Sequence, residues 1–225
     1  KSYHEQHPMV KEKLAIFDID DTITTPHNRL VKAKREGYIN KVEWDDTRKY
    51  LKGHKAFIRF FEKPSNLRLD EPIKGAVNFV NQLVSQGYKV AYLSGRLESN
   101  RDVTNEMFDD LGLPVFRDDF GDMMYLKPTY SVSTSEYKDS VLAKLTSRYD
   151  VHFFFDDLNK NLDKARKYGI PGLYPSIEAY RNPSGKTGES GRIRENPSMH
   201  HGENACPNCG GDTNRIGCTH RSKPA

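Results

Sequence analysis

Near the start of the chain, LAIFDIDDT (residues 14–22) joins an apolar run to three aspartates and a threonine. An unbroken apolar run this short reads as a strand buried on both faces, as in the middle of a parallel sheet. Residues two apart on a strand point the same way, so Asp18 and Asp20 leave its C-terminal tip close together. That tip is where an open α/β sheet binds its ligand. Paired carboxylates repel, and a cation, a shared proton or a chemical role must offset the repulsion. VHFFFDD (151–157) repeats the theme and ends in Asp156 and Asp157, while KVAYL (89–93) ends in Ser94-Gly95-Arg96. A second kind of chemistry lies in the tail. Cys206-Pro-Asn-Cys209-Gly-Gly, followed by Cys218 and His220, has the donor set of a tetrahedral Cys₃His zinc site, with His200 and His201 as alternative fourth ligands.

The elements that must position these groups follow from periodicity. Residues 72–87 carry Ile73, Val77, Val80 and Val84 at helical spacing, with Pro72 in the first turn and Gly87 at the end. Strand 89–93 follows, then a helix over 98–112 with Val103, Met107 and Leu111 on one face. Residues 114–128 read as two short strands around a loop. Ser135 is the expected cap of a helix from Glu136 to about Tyr149, which carries Lys138 in its first turn and buries Val141, Leu142 and Leu145. A helix over 159–168 and a strand over 172–174 complete the body. The alternation predicts an α/β fold, a Rossmann-like parallel sheet. Residues 23–71, with Trp44, Tyr50, Phe57, Phe60 and Phe61, read as a small helical cap inserted after the first strand, its aromatics forming a satellite core. The predicted organisation is a catalytic body over 1–180, a flexible linker over 181–205 and a zinc-ribbon-like tail over 206–225.

Composition narrows the classes. At 225 residues the chain suits one substantial domain plus an appendage. No apolar run approaches the roughly 20 residues of a membrane span or resembles a signal peptide, and no cysteine precedes residue 206, which points to a reducing, cytoplasmic setting. Residues 181–225 hold seven Lys/Arg and four Asp/Glu, so most of the net charge of +4 sits in the tail, a weak pointer to an anionic partner there. GKT at 185–187 is no phosphate-binding P-loop, because Tyr180 stands where its first glycine belongs.

Asp18/Asp20, Ser94, Lys138 and Asp156/Asp157, in that order and setting across residues 14–174, resemble the four motifs of the haloacid dehalogenase-like (HAD) phosphatase superfamily. Within it the chain is similar to the phosphatase domain of polynucleotide kinase/phosphatase enzymes. The similarity rests on HNRL (27–30), FIRFF (57–61) before DEPI (70–73), SGR (94–96), EYKDSVLAKL (136–145) and FFFDD (153–157). It implies Asp18 as nucleophile and Asp20 as the acid that protonates the leaving oxygen and then activates water. It implies Mg²⁺ held by Asp18, the Asp20 carbonyl and one or both of Asp156 and Asp157. Thr22, which orients the first loop, Ser94, Gly95 and Arg96 then serve the substrate phosphate, with Lys138 on the transferring oxygens. Lys127 competes for that lysine role; Lys138 is preferred because its helix leads directly into the Asp156 strand. His27, Arg29 and Asp163 read as surface residues or cap-side contacts. One departure is Asp21, where these relatives commonly carry glycine.

The expected activity is therefore Mg²⁺-dependent phosphomonoester hydrolysis through an aspartyl-phosphate, on nucleic-acid 3′-phosphate ends or nucleotides. Its alternatives are a phosphatase of small metabolites and a degenerate domain that binds nucleic acid or protein. Structural zinc in the tail and nucleic-acid contact through its basic residues complete the expectations.

Overall fold

The structure, a computed structural model, describes residues 10–43 and 47–176. Trp44, the predicted linker and the predicted zinc ligands Cys206, Cys209, Cys218 and His220 lie outside the described residues. In chain order, β1 (Lys13–Phe17) leads through the acidic loop to β2 (Thr24–Thr25), α1 (His27–Arg35), α2 (His54–Phe61), α3 (Pro64–Leu67) and β3 (Glu71–Pro72). Then come α4 (Ala76–Ser85), β4 (Lys89–Leu97), a 3₁₀ turn (Glu98–Asn100), α5 (Arg101–Leu111), the hairpin β5 (Arg117–Asp118) and β6 (Gly121–Asp122), and β7 (Met124–Lys127). α6 (Thr134–Arg148), β8 (Asp150–Phe155), α7 (Asn159–Lys167) and β9 (Gly172–Leu173) follow.

Five strands form one parallel sheet in the order β7-β4-β1-β8-β9. β1 is central, and its alternation divides the core. Ala15 and Phe17 face Phe79, Val80 and Leu83 of α4 and Val103, Met107 and Phe108 of α5. Leu14 and Ile16 face Val141, Leu142 and Leu145 of α6 and Leu162 and Ala165 of α7. A strand with helices on both sides must be apolar at every position, which is why LAIF has no polar alternation. Phe17 stacks on Phe155 across the β1–β8 ladder, with ring centroids 4.6 Å apart, and Phe79 meets both rings edge-on. Burying each such side chain is worth roughly 1.5–3 kcal/mol. Because β1 and β8 share a register that pairs Phe17 with Phe155, Asp18 and Asp156 emerge side by side.

The segment over 23–71 packs a separate core of Leu30, Ala33, Ile39, Phe57, Phe60 and Phe61. Its helices are short, and the two-stranded ribbon β2–β3 closes its base. Two sequence expectations need correction. The helix predicted over 72–87 begins at Ala76, because Pro72 lies in β3 opposite Thr24 and Gly75, at φ 87°, turns the chain into the helix. The cap of α6 is Ser133, not Ser135; its side chain accepts the Glu136 N–H and the helix starts one residue later. No helix among the described residues is long and apolar enough to cross a membrane.

β9 approaches α7 so closely that a Cβ on Gly172 would lie 2.9 Å from the Leu162 carbonyl oxygen and 3.0 Å from the Leu162 Cβ. Gly172→Ala must therefore push α7 off the sheet edge, an overpacking cost of about 1–3 kcal/mol. Thermal or urea unfolding should register a loss of that size; a variant as stable as the parent would show that this edge gives way freely.

Candidate active site

The C-terminal ends of β1, β4 and β8 converge on two charge clusters. In the first, Lys138 reaches from the second turn of α6, a helix that starts two residues before the expected Glu136, and is almost wholly buried. Its Nζ donates to Asp18 Oδ1 at 2.7 Å and Asp156 Oδ2 at 2.6 Å. Burial pulls the ammonium toward neutrality, but Asp156 and then Asp18 more than compensate, so its pKa stands above the ordinary lysine value. Asp18 is pushed well above the usual carboxylate range by burial, with Lys138 opposing and Asp156 and Asp157 reinforcing. Thr22 Oγ1 lies 3.5 Å from Asp18 Oδ2. Asp156 is pinned by the Leu158 N–H at 2.8 Å and by Asn161 Nδ2 at 3.0 and 3.1 Å. Burial, reinforced by Asp157, raises its pKa as well.

Carboxylate oxygens of Asp18, Asp156 and Asp157 lie within 4.8 Å of one another. Three buried carboxylates against one lysine leave an excess of negative charge. Asn161 Oδ1, on the residue that steadies Asp156, is buried without a hydrogen-bond partner among the described residues. Hard oxygen donors around uncompensated charge fit Mg²⁺ and do not favour a soft metal.

The second cluster surrounds Asp20, whose side chain is 31 % exposed. Arg96 Nε and Nη2 each donate to it at 2.9 Å, and Arg29 Nη2 donates at 2.5 Å. Both guanidiniums also hold Asp70: Arg29 at 2.6 and 2.8 Å, Arg96 at 2.7 Å. Burial raises both carboxyls. At Asp20 it is outweighed by Arg96 and Arg29, so that pKa falls below the usual range. At Asp70 burial dominates and, with Asp20 adding to it, pushes the pKa up to about 7. Arg29 is thus no surface residue. It is fully buried, its guanidinium lies 4.0 Å from the Phe61 ring, and it ties the inserted segment to Asp20. The signal was in the sequence: Arg29 sits four residues before Ala33, on the apolar stripe of α1. Asp70 and Asn161 carried no comparable mark.

The SGR stretch lies where the β4–β7 register shifts between Ser94 and Leu97. Ser94 Oγ accepts the Arg96 N–H at 3.1 Å, and the Arg96 guanidinium turns to Asp20 and Asp70. Gly95 faces Thr134 so closely that a Cβ would lie 2.8 Å from its Cγ2. Lys127 donates to that threonine's Oγ1 at 3.2 Å and lies apart from the Asp18 cluster, which Lys138 occupies. Asp21, where relatives commonly have glycine, has φ 60°, a left-handed conformation that aspartate tolerates better than most side chains.

A family model described as HAD superfamily, subfamily IIIB (acid phosphatase), matches residues 2–170. No curated protein matches the chain. Among solved structures, the class C acid phosphatase from Bacillus anthracis is 16 % identical, covering 84 % of this chain and 68 % of that one at TM-score 0.50. A haloacid dehalogenase-like family hydrolase from Streptococcus pneumoniae is 12 % identical over 73 % of this chain and 84 % of that one, also at 0.50. A chain of the Pnkp1/Rnl/Hen1 complex is 18 % identical over 77 % of this chain at TM-score 0.50. This chain spans 42 % and 48 % of the matched chains in two structures of that complex. At these identities the likeness is one of fold.

The burial of Asp70 makes stability depend on pH with a definite sign. A carboxyl whose pKa is raised on folding contributes stability that is full below its unfolded pKa and is lost as pH rises through its folded pKa. For Asp70 that window runs from about 4 to about 7. The melting temperature of the parent, measured relative to Asp70→Asn, should therefore fall as pH rises from 4 to 8. Asp20 is common to both proteins, so a constant difference would refute the assignment.

Proposed function

The chain belongs to subfamily IIIB of the HAD superfamily, the acid phosphatase family, and on that premise we propose that it hydrolyses phosphomonoesters through an aspartyl-phosphate on Asp18. The observation that carries this reading is the buried Lys138, held between Asp18 and Asp156 at the tips of adjacent strands. Such a lysine neutralises charge where a phosphoryl group would sit and holds one Asp18 oxygen in place.

In the first step an Asp18 oxygen attacks phosphorus, and the bond from phosphorus to the ester oxygen breaks as the new one forms. Asp20 supplies the proton to the departing alkoxide. In the resting site Asp20 is ionised by Arg96 and Arg29. A phosphate dianion arriving beside it opposes those cations and raises its pKa, so that Asp20 takes up a proton from solvent before passing it to the leaving oxygen. In the second step Asp20 takes a proton from water, the water oxygen attacks phosphorus, and the bond to Asp18 breaks to release phosphate. Lys138 stays protonated throughout, while Thr22, Ser94 and Gly95 shape the loops around the phosphate. Arg96 serves the phosphate by orienting Asp20 beside it. Asp18, the Asp20 carbonyl, Asp156 and Asp157 would hold Mg²⁺, which when bound neutralises the non-bridging oxygens of the phosphate.

For substrate we propose a nucleic-acid 3′-phosphate end or a nucleotide, supported by the SGR, HNRL and DEPI stretches and by the fold shared with the Pnkp1/Rnl/Hen1 chain. The acid phosphatase family match favours a second reading, a phosphatase of small metabolites with the same catalytic parts. Release of phosphate from a 3′-phosphorylated oligonucleotide, from mononucleotides and from sugar phosphates, compared at equal concentration, separates the two.

Asp18→Asn should fold normally and release no phosphate from any ester, because an amide cannot attack phosphorus. The parent stripped with EDTA should fall silent and recover with Mg²⁺. Turnover by the purified variant, or by the stripped parent, would overturn the mechanism. Asp20→Asn should slow hydrolysis of alkyl phosphates by about 10²–10⁴-fold and spare an activated aryl phosphate in the first step. Burst kinetics can read the two steps apart; an equal first-step loss on both substrates would remove Asp20 from proton transfer.

A further inference from the structure

Charge within the first 180 residues is segregated. Residues 23–71 carry twelve Lys/Arg and seven Asp/Glu, a surplus of five, whereas the rest of that body carries sixteen against twenty. Several of the twelve are engaged: Arg29 is buried, Lys32 donates to Asn66, Lys52 to the Glu36 carbonyl, and Arg68 pairs with Glu106. Lys55, Arg59 and Lys63 are exposed and have no ion-pair partner among the described residues. Lys55 and Arg59 stand one turn apart on α2, on the face opposite its buried Phe57, Phe60 and Phe61, and Lys63 follows at the junction with α3.

This row ends at the mouth of the site. Asn100 Nδ2 donates to the Glu62 carbonyl at 3.0 Å and to its carboxylate at 3.3 Å, and that carboxylate lies within electrostatic reach of Asp20, Arg29 and Arg96. Across from it, in the loop between β7 and α6, Tyr130 is 53 % exposed, with its hydroxyl in reach of Glu62 and Arg59. Among the described residues, Phe57, Phe60 and Phe61 of the inserted segment are core residues, with Tyr38 and Tyr50 half-buried against them. Tyr130 is the exposed aromatic beside both the cations and the site.

We propose that the exposed face of α2 and Tyr130 form a docking track for single-stranded nucleic acid whose terminal phosphate enters the site. Lys55, Arg59 and Lys63 meet the backbone phosphates, and Tyr130 stacks on a base near the end. A lipid surface would need large apolar groups on the same face, but the exposed ones among the described residues of this segment, Val31 and Leu51, lie off α2. An acidic polypeptide would use the cations and leave Tyr130 idle. The proposal rests on the nucleic-acid reading of the substrate and assigns its binding to the inserted segment, not to the basic tail.

Binding of a fluorescein-labelled single-stranded decanucleotide with a 3′-hydroxyl, followed by anisotropy across a salt series, tests the track without any turnover. Each phosphate contact contributes about 0.7 to the slope of log K against log salt for a single strand. In the full-length protein, Lys55→Ala/Arg59→Ala/Lys63→Ala should therefore lower that slope by about two and weaken binding at least tenfold at low salt. Tyr130→Ala should weaken binding with the slope intact, and Tyr130→Phe should restore it. Lys144→Ala/Lys167→Ala, on the α6–α7 layer, should change little. A triple variant that keeps the parent's affinity and slope overturns the proposal and moves binding to another surface. So does a parent that binds labelled polyglutamate as tightly as the oligonucleotide, because the face is then a general anion surface. Phosphate release is scored separately. A protein that binds the strand through these residues but hydrolyses no ester refutes the phosphatase reading alone. One that hydrolyses esters while the variants bind normally refutes the track alone.

Discussion

Five carboxylates crowd the ends of three adjacent strands and the foot of the inserted segment, and three buried cations hold them there. Asp18, Asp156 and Asp157 gather around Lys138; Asp20 and Asp70 share Arg29 and Arg96. Charges this deep are tolerated only when paired and hydrogen-bonded, and removing one partner strands the others at a cost of several kcal/mol. The apolar sandwich beneath keeps the arrangement from relaxing. Phe17 and Phe155, stacked with their planes 4° apart, lock the two strand tips that carry Asp18 and Asp156.

The two clusters have opposite characters. Around Lys138 negative charge is in excess, which suits a site for a divalent cation and a phosphoryl group. Around Asp20 two cations face two carboxylates, and burial divides them: Asp70 is sealed and driven toward neutrality, while Asp20 keeps part of its side chain exposed and stays ionised. A single substrate anion can shift that balance, because its charge acts on Asp20 directly and on Asp70 only through the shared guanidiniums.

Arg29 gives the inserted segment a stake in this chemistry. Its helix contributes Leu30 and Ala33 to the local core, while its guanidinium crosses to Asp20 and Asp70. Movement of α1 relative to the sheet would release one of the two cations that ionise Asp20. The solved structures compared share the fold at 12–18 % identity.

The parallel sheet, its central strand and the acidic strand tips were legible in the sequence because strand burial leaves a direct mark: LAIF has no polar position, and FFF runs without one into the second acidic tip. Lys138 was legible because its place near the start of a helix follows from local spacing, although the helix begins at Thr134 and puts it in the second turn. The start of α4 and the cap of α6 were misread by a few residues, since Pro72 and Ser135 are each compatible with a helix start and only the pairing of β3 with β2 and the turn at Gly75 decide between neighbours. The position of Arg29 on the apolar stripe of α1 marked it as buried, but its pairing with Asp70, forty-one residues away, was beyond local reading. Asp70 looks like a solvated charge until the insert folds back on the sheet, and only that contact removes water from it. Local pattern determined which elements form and where their charged ends lie. Long-range packing decided which charges share a partner, because desolvation depends on what covers a group and not on its neighbours in the chain.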